Sequence, residues 1–106
     1  MALNRTMFSL LSLCQRAGKL ISGEDSVLAY IQSGEAELVI IAEDASENTR
    51  YKFLNKTQYY KKNAVVVGNR EELSQAIGKF NRTVFAIVDK NFAERIFKEL
   101  KTMTQE

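Results

Sequence analysis

Apolar residues recur every three or four positions in five segments of the chain, which is the spacing of an amphipathic helix. In the first segment, Met7, Leu10 and Cys14 fall on one side, and Gly18 follows the last helical position. Glycine is the commonest residue just after a helix, so Gly18 marks its end. The five predicted helices are residues 3–17, 24–33, 47–61, 70–77 and a last helix that buries residues between Phe92 and Leu100.

Continuous apolar runs separate these helices. They are "ELVIIAED" at 37–44, "AVVVG" at 64–68 and "TVFAIVD" at 83–89, and the shorter "KLIS" at 19–22 is a candidate fourth strand. A run without alternation is typical of a strand that is buried on both faces. Strands that alternate with helices predict an α/β fold, a three-layer α-β-α sandwich around a four-stranded mixed, mainly parallel sheet.

Length and composition favour one ordinary globular domain. The chain has 106 residues, of which 45% are hydrophobic and 26% charged, and its formal net charge is +2. We assign residues 1–101 to a single domain and residues 102–106 to a frayed polar tail. No apolar run approaches the ~20 residues that cross a bilayer. The single cysteine, Cys14, lies in the apolar stripe of the first helix and fits the reducing cytoplasm.

The residue types argue against most catalytic chemistry. The chain contains no histidine and one cysteine, so the usual triads and zinc clusters are not available. Acids do follow two strands, Glu43 and Asp44 after one and Asp89 with Lys90 after another, and such a pocket would resemble a bacterial receiver domain. The same acids, with Ser46, also suit helix N-termini. We expect no enzymatic activity, no cofactor and no metal.

The stretch "GKLISGEDSVLAYIQSG" at 18–34 places a glycine and two acids at a strand-to-helix junction. Ser22 and Asp25 have nearly the spacing of a capping box. Capping does not require Gly23 or Glu24, however. The N–H groups of a helix N-terminus suit phosphates or base carbonyls, and acids beside them accept hydrogen bonds from base amino groups. The stretch therefore predicts a helix cap whose acids also suit contact with nucleic-acid bases.

A second candidate element is the loop "GKFNR" at 78–82. It offers Lys79 and Arg82 to phosphates and Phe80 as an exposed stacking group. In the predicted fold this loop and the 18–34 junction are expected to share one end of the domain.

A basic segment is a third candidate. Residues 48–63 contain three tyrosines and no acid, which fits a solvated helix face as well as a nucleic-acid contact. Its basic residues are Arg50, Lys52, Lys56, Lys61 and Lys62.

Several motifs in a fixed order resemble the L-seven-Ae superfamily of ribosomal proteins, which bind kink-turn RNA. They are "RAGK" and "SGED" near the second helix, "AEDAS" after the first long strand, and "AIGK" before the last one. The likeness covers roughly residues 4–100 and is greatest to the small YlxQ-type branch of Gram-positive bacteria. It implies the α-β-α sandwich. It also implies an RNA site formed by the N-terminus of the second helix and the loop before the last long strand.

The resemblance also assigns residues. The glycine of the family's guanine-contacting segment corresponds to Gly23, its asparagine to Asp25 and its glutamate to Ser26. Family members frequently have a lysine one turn later, and the corresponding residue in this chain is Ala29. The family's hydrophobic recognition loop corresponds to residues 79–83, which are more basic here.

We therefore expect a cytoplasmic, monomeric RNA-binding protein that recognises a kink-turn-like element of the ribosome or of an mRNA leader and does not contact a membrane. The alternatives are a receiver-like regulator and a protein-interaction adaptor on the same layered fold. The expected RNA-binding residues are Lys19, Gly23, Glu24, Asp25, Ser26, Glu43, Asp44, Lys79, Phe80, Asn81 and Arg82.

Overall fold

A computed structural model of the chain describes residues 1–104. The described residues contain five helices and four strands that alternate almost throughout, as the apolar pattern predicts. They are α1 (Arg5–Arg16), β1 (Leu20–Ser22), α2 (Glu24–Ser33), β2 (Leu38–Ile41), α3 (Glu47–Tyr59), β3 (Asn63–Val66), α4 (Arg70–Ala76), β4 (Val84–Ile87) and α5 (Lys90–Thr104).

The four strands form one mixed sheet in the order β1-β4-β2-β3. Only β2 and β3 are parallel, and β4 runs antiparallel to both of its neighbours. The predicted mixed sheet is confirmed, but the expectation that it is mainly parallel is wrong. The seven residues of α4 span only about 10 Å. The following loop then returns the chain to the end of the sheet at which β3 finishes. An apolar run looks the same in either strand direction, so the apolar pattern does not reveal this reversal.

Helices cover both faces of the sheet, which confirms the α-β-α sandwich. The helices α2 and α3 pack together on one face, while α1 lies on the other and contacts both α4 and α5. The two central strands, β2 and β4, are buried along their whole length. The largest fully buried side chains include Phe53, Phe85, Met7, Leu11 and Ile31.

Cys14 belongs to this core, as its position in the α1 stripe predicts. Its side chain is fully buried. Burial, with a smaller contribution from the negative charge of Asp89, raises the pKa of the Cys14 thiol to about 12. The thiol is therefore protonated at neutral pH and behaves as a small apolar group.

Two of the predicted helix caps, Ser46 and Asp89, are present, and Asn69 provides a third cap. The Ser46 side chain accepts a hydrogen bond from the Thr49 N–H at 3.1 Å, and Asp89 accepts one from the Phe92 N–H at 2.9 Å. Asn69 forms a complete capping box with Glu72 at the start of α4. Side chains therefore fix the beginnings of α3, α4 and α5.

Two segments differ from the expected ones. The strand β3 lies at the edge of the sheet and is only half-buried, whereas its apolar run predicts a buried strand. The helix α5 continues through Thr104, past the expected domain end at residue 101. The rest of the expected polar tail, residues 105–106, lies outside the described residues. No helix in residues 1–104 is long and apolar enough to cross a membrane.

Candidate nucleic-acid interface

The two loops that we expected to meet lie side by side at one end of the sheet. The strand β1 pairs with β4, so the residue that follows β1 is next to the residue that begins β4. The Gly23 N–H donates a hydrogen bond to the Val84 carbonyl at 3.1 Å. The result is a shallow groove lined by Gly23, Glu24, Asp25, Asn81, Arg82 and Thr83.

Gly23 is the N-cap residue of α2 and has a φ of 97° with a ψ of 146°. This combination is nearly restricted to glycine. A Cβ at this position would also lie 2.8 Å from Arg82 Nη1. The backbone conformation therefore requires glycine at position 23, and a larger residue would also displace the end of the Arg82 side chain.

The capping box predicted from Ser22 and Asp25 is wrong. Ser22 is the last residue of β1 and pairs with Phe85, and the N-cap is Gly23, which has no side chain to offer. No side chain among residues 1–104 caps the first turn of α2. Its N–H groups consequently face the groove without a side-chain partner, which is the arrangement that binds anions and carbonyl oxygens.

The two acids in the first turn of α2 have different surroundings. Glu24 accepts a hydrogen bond from the Thr49 hydroxyl at 3.2 Å, and its other oxygen lies 4.0 Å from Lys52 Nζ. Asp25 is exposed, and its carboxylate makes no hydrogen bond or ion pair within residues 1–104. Ser26 is also exposed at the same helix end. Glu24 is therefore held towards α3, whereas Asp25 is available to a ligand.

Residues 79–83, which we call the recognition loop, lie on the other side of the groove and project an aromatic ring. Phe80 is 92% exposed, the highest value among the large hydrophobic residues described, and Lys79 before it is also exposed. Asn81 has a φ of 55°, a left-handed conformation that asparagine tolerates better than most residues. The loop thus presents an unburied ring and a cation to solvent.

Ser74 on α4 holds the same loop by hydrogen bonds to its backbone. Its buried hydroxyl accepts from the Arg82 N–H at 2.8 Å and donates to the Arg82 carbonyl at 3.1 Å. The sequence analysis missed this residue. A signal was present, because Ser74 lies one position after Leu73 and three before Ile77, on the apolar side of α4.

Arg70, the first residue of α4, is a second residue that the sequence analysis missed. Its guanidinium donates to Asn81 Oδ1 at 3.0 Å and to the Asp44 carbonyl at 2.9 Å, and its Nε lies 3.5 Å from Asp44 Oδ2. The Arg70 N–H also donates to Asp44 Oδ1 at 2.8 Å. Arg70 therefore ties the loop after β2 to the recognition loop. No spacing in the sequence indicates this role.

Three expected residues lie away from both the groove and the two segments that form it. Asp44 faces α4 and reaches the groove only through Arg70. Glu43 pairs with the amino group of Met1. Lys19 immediately precedes β1, and its carbonyl accepts from the Val88 N–H, so it is at the opposite end of the sheet.

The strand directions also exclude an acidic pocket like that of a receiver domain. Because β4 is antiparallel to β2, Asp89 and Lys90 leave the sheet at the end opposite to Glu43 and Asp44. Within residues 1–104, no cluster of three or more acids, cysteines or histidines is arranged to hold a metal ion.

Comparisons with known proteins agree with this architecture. The model of the ribosomal protein L7Ae/L30e/S12e/Gadd45 family matches residues 5–97. The RNA-binding protein YlxQ of Bacillus subtilis is 43% identical and covers 88% of this chain and 93% of its own length. YlxQ of Enterococcus faecium is 45% identical and covers 87% of each chain.

A solved structure has the same fold. A protein of unknown function from Bacillus halodurans superposes with a TM-score of 0.85 at 38% identity and covers 90% of this chain and 96% of its own. The family model and the two YlxQ relatives each match most of the chain. The chain therefore belongs to the ribosomal protein L7Ae/L30e/S12e/Gadd45 family.

Proposed function

We propose that this protein is a non-enzymatic, cytoplasmic RNA-binding protein that recognises a kink-turn-like bend in a ribosomal RNA or an mRNA leader. The observation that carries the proposal is the groove between α2 and the recognition loop. On one side it has the uncapped N-terminus of α2 and the unpaired carboxylate of Asp25. On the other side it has Arg82, and the exposed Phe80 projects from the same loop beside the groove. RNA binding by the YlxQ relatives supports the same proposal.

The opposite charges of the groove suit two different parts of an RNA. Guanine presents N1–H and N2–H₂ donors when it is not in a Watson–Crick pair, as in a sheared G·A pair. Asp25 can accept from both donors, and Glu24 is held away by Thr49 and Lys52. Arg82 and Lys79 carry the positive charge that phosphates require. Asp25 would therefore distinguish bases, while the two basic residues would position the backbone.

Phe80 contributes stacking rather than hydrogen bonding. Bases that leave the helical stack at a bend present their faces, and aromatic side chains bind such faces in most sequence-specific RNA complexes. The Asn81 side chain is held by Arg70 at 3.0 Å, and Ser74 holds the backbone of Arg82. The residues after Phe80 are thus fixed while its ring remains exposed, so little ordering is needed on binding.

The proposal is tested with two labelled RNAs in fluorescence anisotropy. One is a kink-turn with tandem sheared G·A pairs, and the other has Watson–Crick pairs at those positions. We expect tighter binding of the first by about 1–3 kcal/mol, and Asp25→Ala should remove most of that preference. The double variant Lys79→Ala, Arg82→Ala should weaken binding of both RNAs and lower the salt slope by about 0.9 for each phosphate that the variant no longer neutralises.

The matched control removes two cations elsewhere. Arg95 and Lys98 are exposed on α5, on the sheet face opposite to α2, so Arg95→Ala, Lys98→Ala should change affinity much less. Equal affinity of the wild-type protein for both RNAs would contradict kink-turn recognition. Absence of binding to either RNA would contradict the RNA-binding proposal and leave the adaptor alternative.

A further inference from the structure

One exposed face of α3 combines aromatic and basic side chains that the groove does not use. Tyr51 is 72% exposed and Tyr59 is 78% exposed, and with Asn55 between them they lie at i, i+4 and i+8 on the helix surface. Lys52 and Lys56 form a neighbouring row, and together the five residues line a shallow surface groove. We call these five residues the α3 stripe.

Large aromatic rings are unusual on the solvent side of a helix without a partner. The two tyrosines contribute nothing to the core at these exposures. The rings of Tyr59 and Tyr60 form a T-shaped pair, with centroids 4.9 Å apart and planes at 78°. This contact leaves the Tyr59 ring largely exposed to solvent. Tyr59 is therefore positioned for stacking by another flat group.

The charge of the α3 stripe favours a polyanion as that group. Residues 48–63 contain five lysines and arginines and no acid. Glu47 lies at the start of the helix, and the carboxylate of Glu24 is already engaged by Thr49 and Lys52. A basic row beside aromatic rings is the usual composition of a surface that binds single-stranded nucleic acid.

The α3 stripe is continuous with the groove. Lys52 Nζ lies 4.0 Å from Glu24 Oε1, and Glu24 lines the groove at the N-terminus of α2. Tyr51 and Tyr59 lie along α3 beyond this contact. The eight helical steps from Tyr51 to Tyr59 rise about 12 Å. At about 3.4 Å per nucleotide this distance accommodates three to four stacked nucleotides.

We infer that the α3 stripe is a second RNA contact, which holds a single-stranded extension of the RNA bound at the groove. Tyr51 and Tyr59 stack on bases, and Lys56 contacts phosphate. The inference rests on the proposed function, because the groove must first hold the bent RNA from which the extension leaves. The contact is tolerant of sequence, since every base has a face on which an aromatic ring can stack.

The test compares a blunt-ended kink-turn RNA with the same RNA carrying a 5′ or 3′ oligouridine extension of about six nucleotides. We expect one extension to tighten binding of the wild-type protein by about tenfold or more. Tyr51→Ala, Tyr59→Ala should abolish that gain and change affinity for the blunt RNA less than about twofold. Tyr51→Phe, Tyr59→Phe retains both rings and should keep the gain.

Charge is tested by a second pair of variants. Lys56→Ala should lower affinity for the extended RNA and reduce its salt slope by about 0.7, the value for one single-strand phosphate. Lys98→Ala on α5 removes the same charge away from the α3 stripe and should do neither. Thermal unfolding of all variants checks that these exposed substitutions leave the fold intact.

The outcomes separate this inference from the proposed function. Tight binding of the blunt RNA with no gain from either extension overturns the inference and leaves the groove intact as an RNA site. Unchanged binding of the extended RNA by the alanine pair also overturns it. Failure to bind any of the RNAs overturns both.

Discussion

Replacement of Gly23 by alanine introduces a methyl group that meets two separate obstacles. The first is the backbone, because φ of 97° with ψ of 146° is a conformation that costs a non-glycine residue about 1–3 kcal/mol. The second is Arg82, whose Nη1 would lie 2.8 Å from the new Cβ. An ordinary contact requires about 3.5–4.0 Å, so the guanidinium must move by about 0.7–1.2 Å.

The two obstacles have different consequences. The end of an arginine side chain moves at little cost, so the backbone accounts for most of the decrease in folding stability. The displaced guanidinium, in contrast, no longer lies where the groove presents it to phosphate. We expect Gly23→Ala to lower the free energy of unfolding by about 1–3 kcal/mol and to weaken RNA binding by about tenfold, or 1.4 kcal/mol.

Gly34 provides the matched control. It has a φ of 85° in the left-handed region, and a Cβ there would meet nothing within 4 Å. Gly34→Ala should therefore cost about 1 kcal/mol of stability and leave RNA binding unchanged. Urea unfolding and fluorescence anisotropy on the kink-turn RNA measure the two quantities separately.

A double-mutant cycle completes the test. In an Arg82→Ala background the methyl group has no guanidinium to displace, so Gly23→Ala should still destabilise the fold but should not weaken RNA binding further. If Gly23→Ala reduces affinity equally with and without Arg82, the effect does not pass through that side chain and the reasoning is refuted.

Two further predictions concern residues beneath the groove and in the core. Ser74→Ala leaves the Arg82 N–H without its partner at 2.8 Å and should lower the free energy of unfolding by about 1–3 kcal/mol in urea titrations; a decrease below about 0.5 kcal/mol would show that the hydroxyl does not hold the loop. The Cys14 thiol should react with a maleimide only on unfolding. Its pKa is about 12 in the folded protein and about 8.5 in an unfolded chain. Between these values the unfolded chain loses the proton first, so stability should fall with rising pH by up to about 1.4 kcal/mol per unit. Cys14→Ala should lack this contribution, and identical alkaline profiles would contradict it.

Local signals in the sequence predicted the elements well. The bounds of α2 are those predicted, because Gly23 and Gly34 each adopt a positive φ that stops a helix. Asn69 and Asp89 cap the helices that they precede, since a short polar side chain three residues before a helical N–H forms that bond without help from elsewhere.

Local signals could not predict the strand direction or the contacts between residues far apart in the sequence. The direction of β4 depends on how far α4 and its loop carry the chain, and the apolar run "VFAIV" is compatible with either direction. The contacts of Arg70 with Asp44 and Asn81 join positions 26 and 11 residues away. Likewise, the packing of α2 on α3 brings Glu24 to the Thr49 hydroxyl and leaves Asp25 without such a partner.

The position of β4 in the sheet determines when the groove can exist. The strand is the last in sequence but lies between β1 and β2, so neither of its neighbours is paired on that side until the chain has been made to residue 87. During synthesis, β1 and α2 emerge long before the loop that completes the groove with them. The first half of the chain therefore lacks the complete groove, and under the proposed function a partly synthesised chain does not bind the kink-turn RNA. Completion of the sheet and formation of the groove are a single event in the folding of this protein.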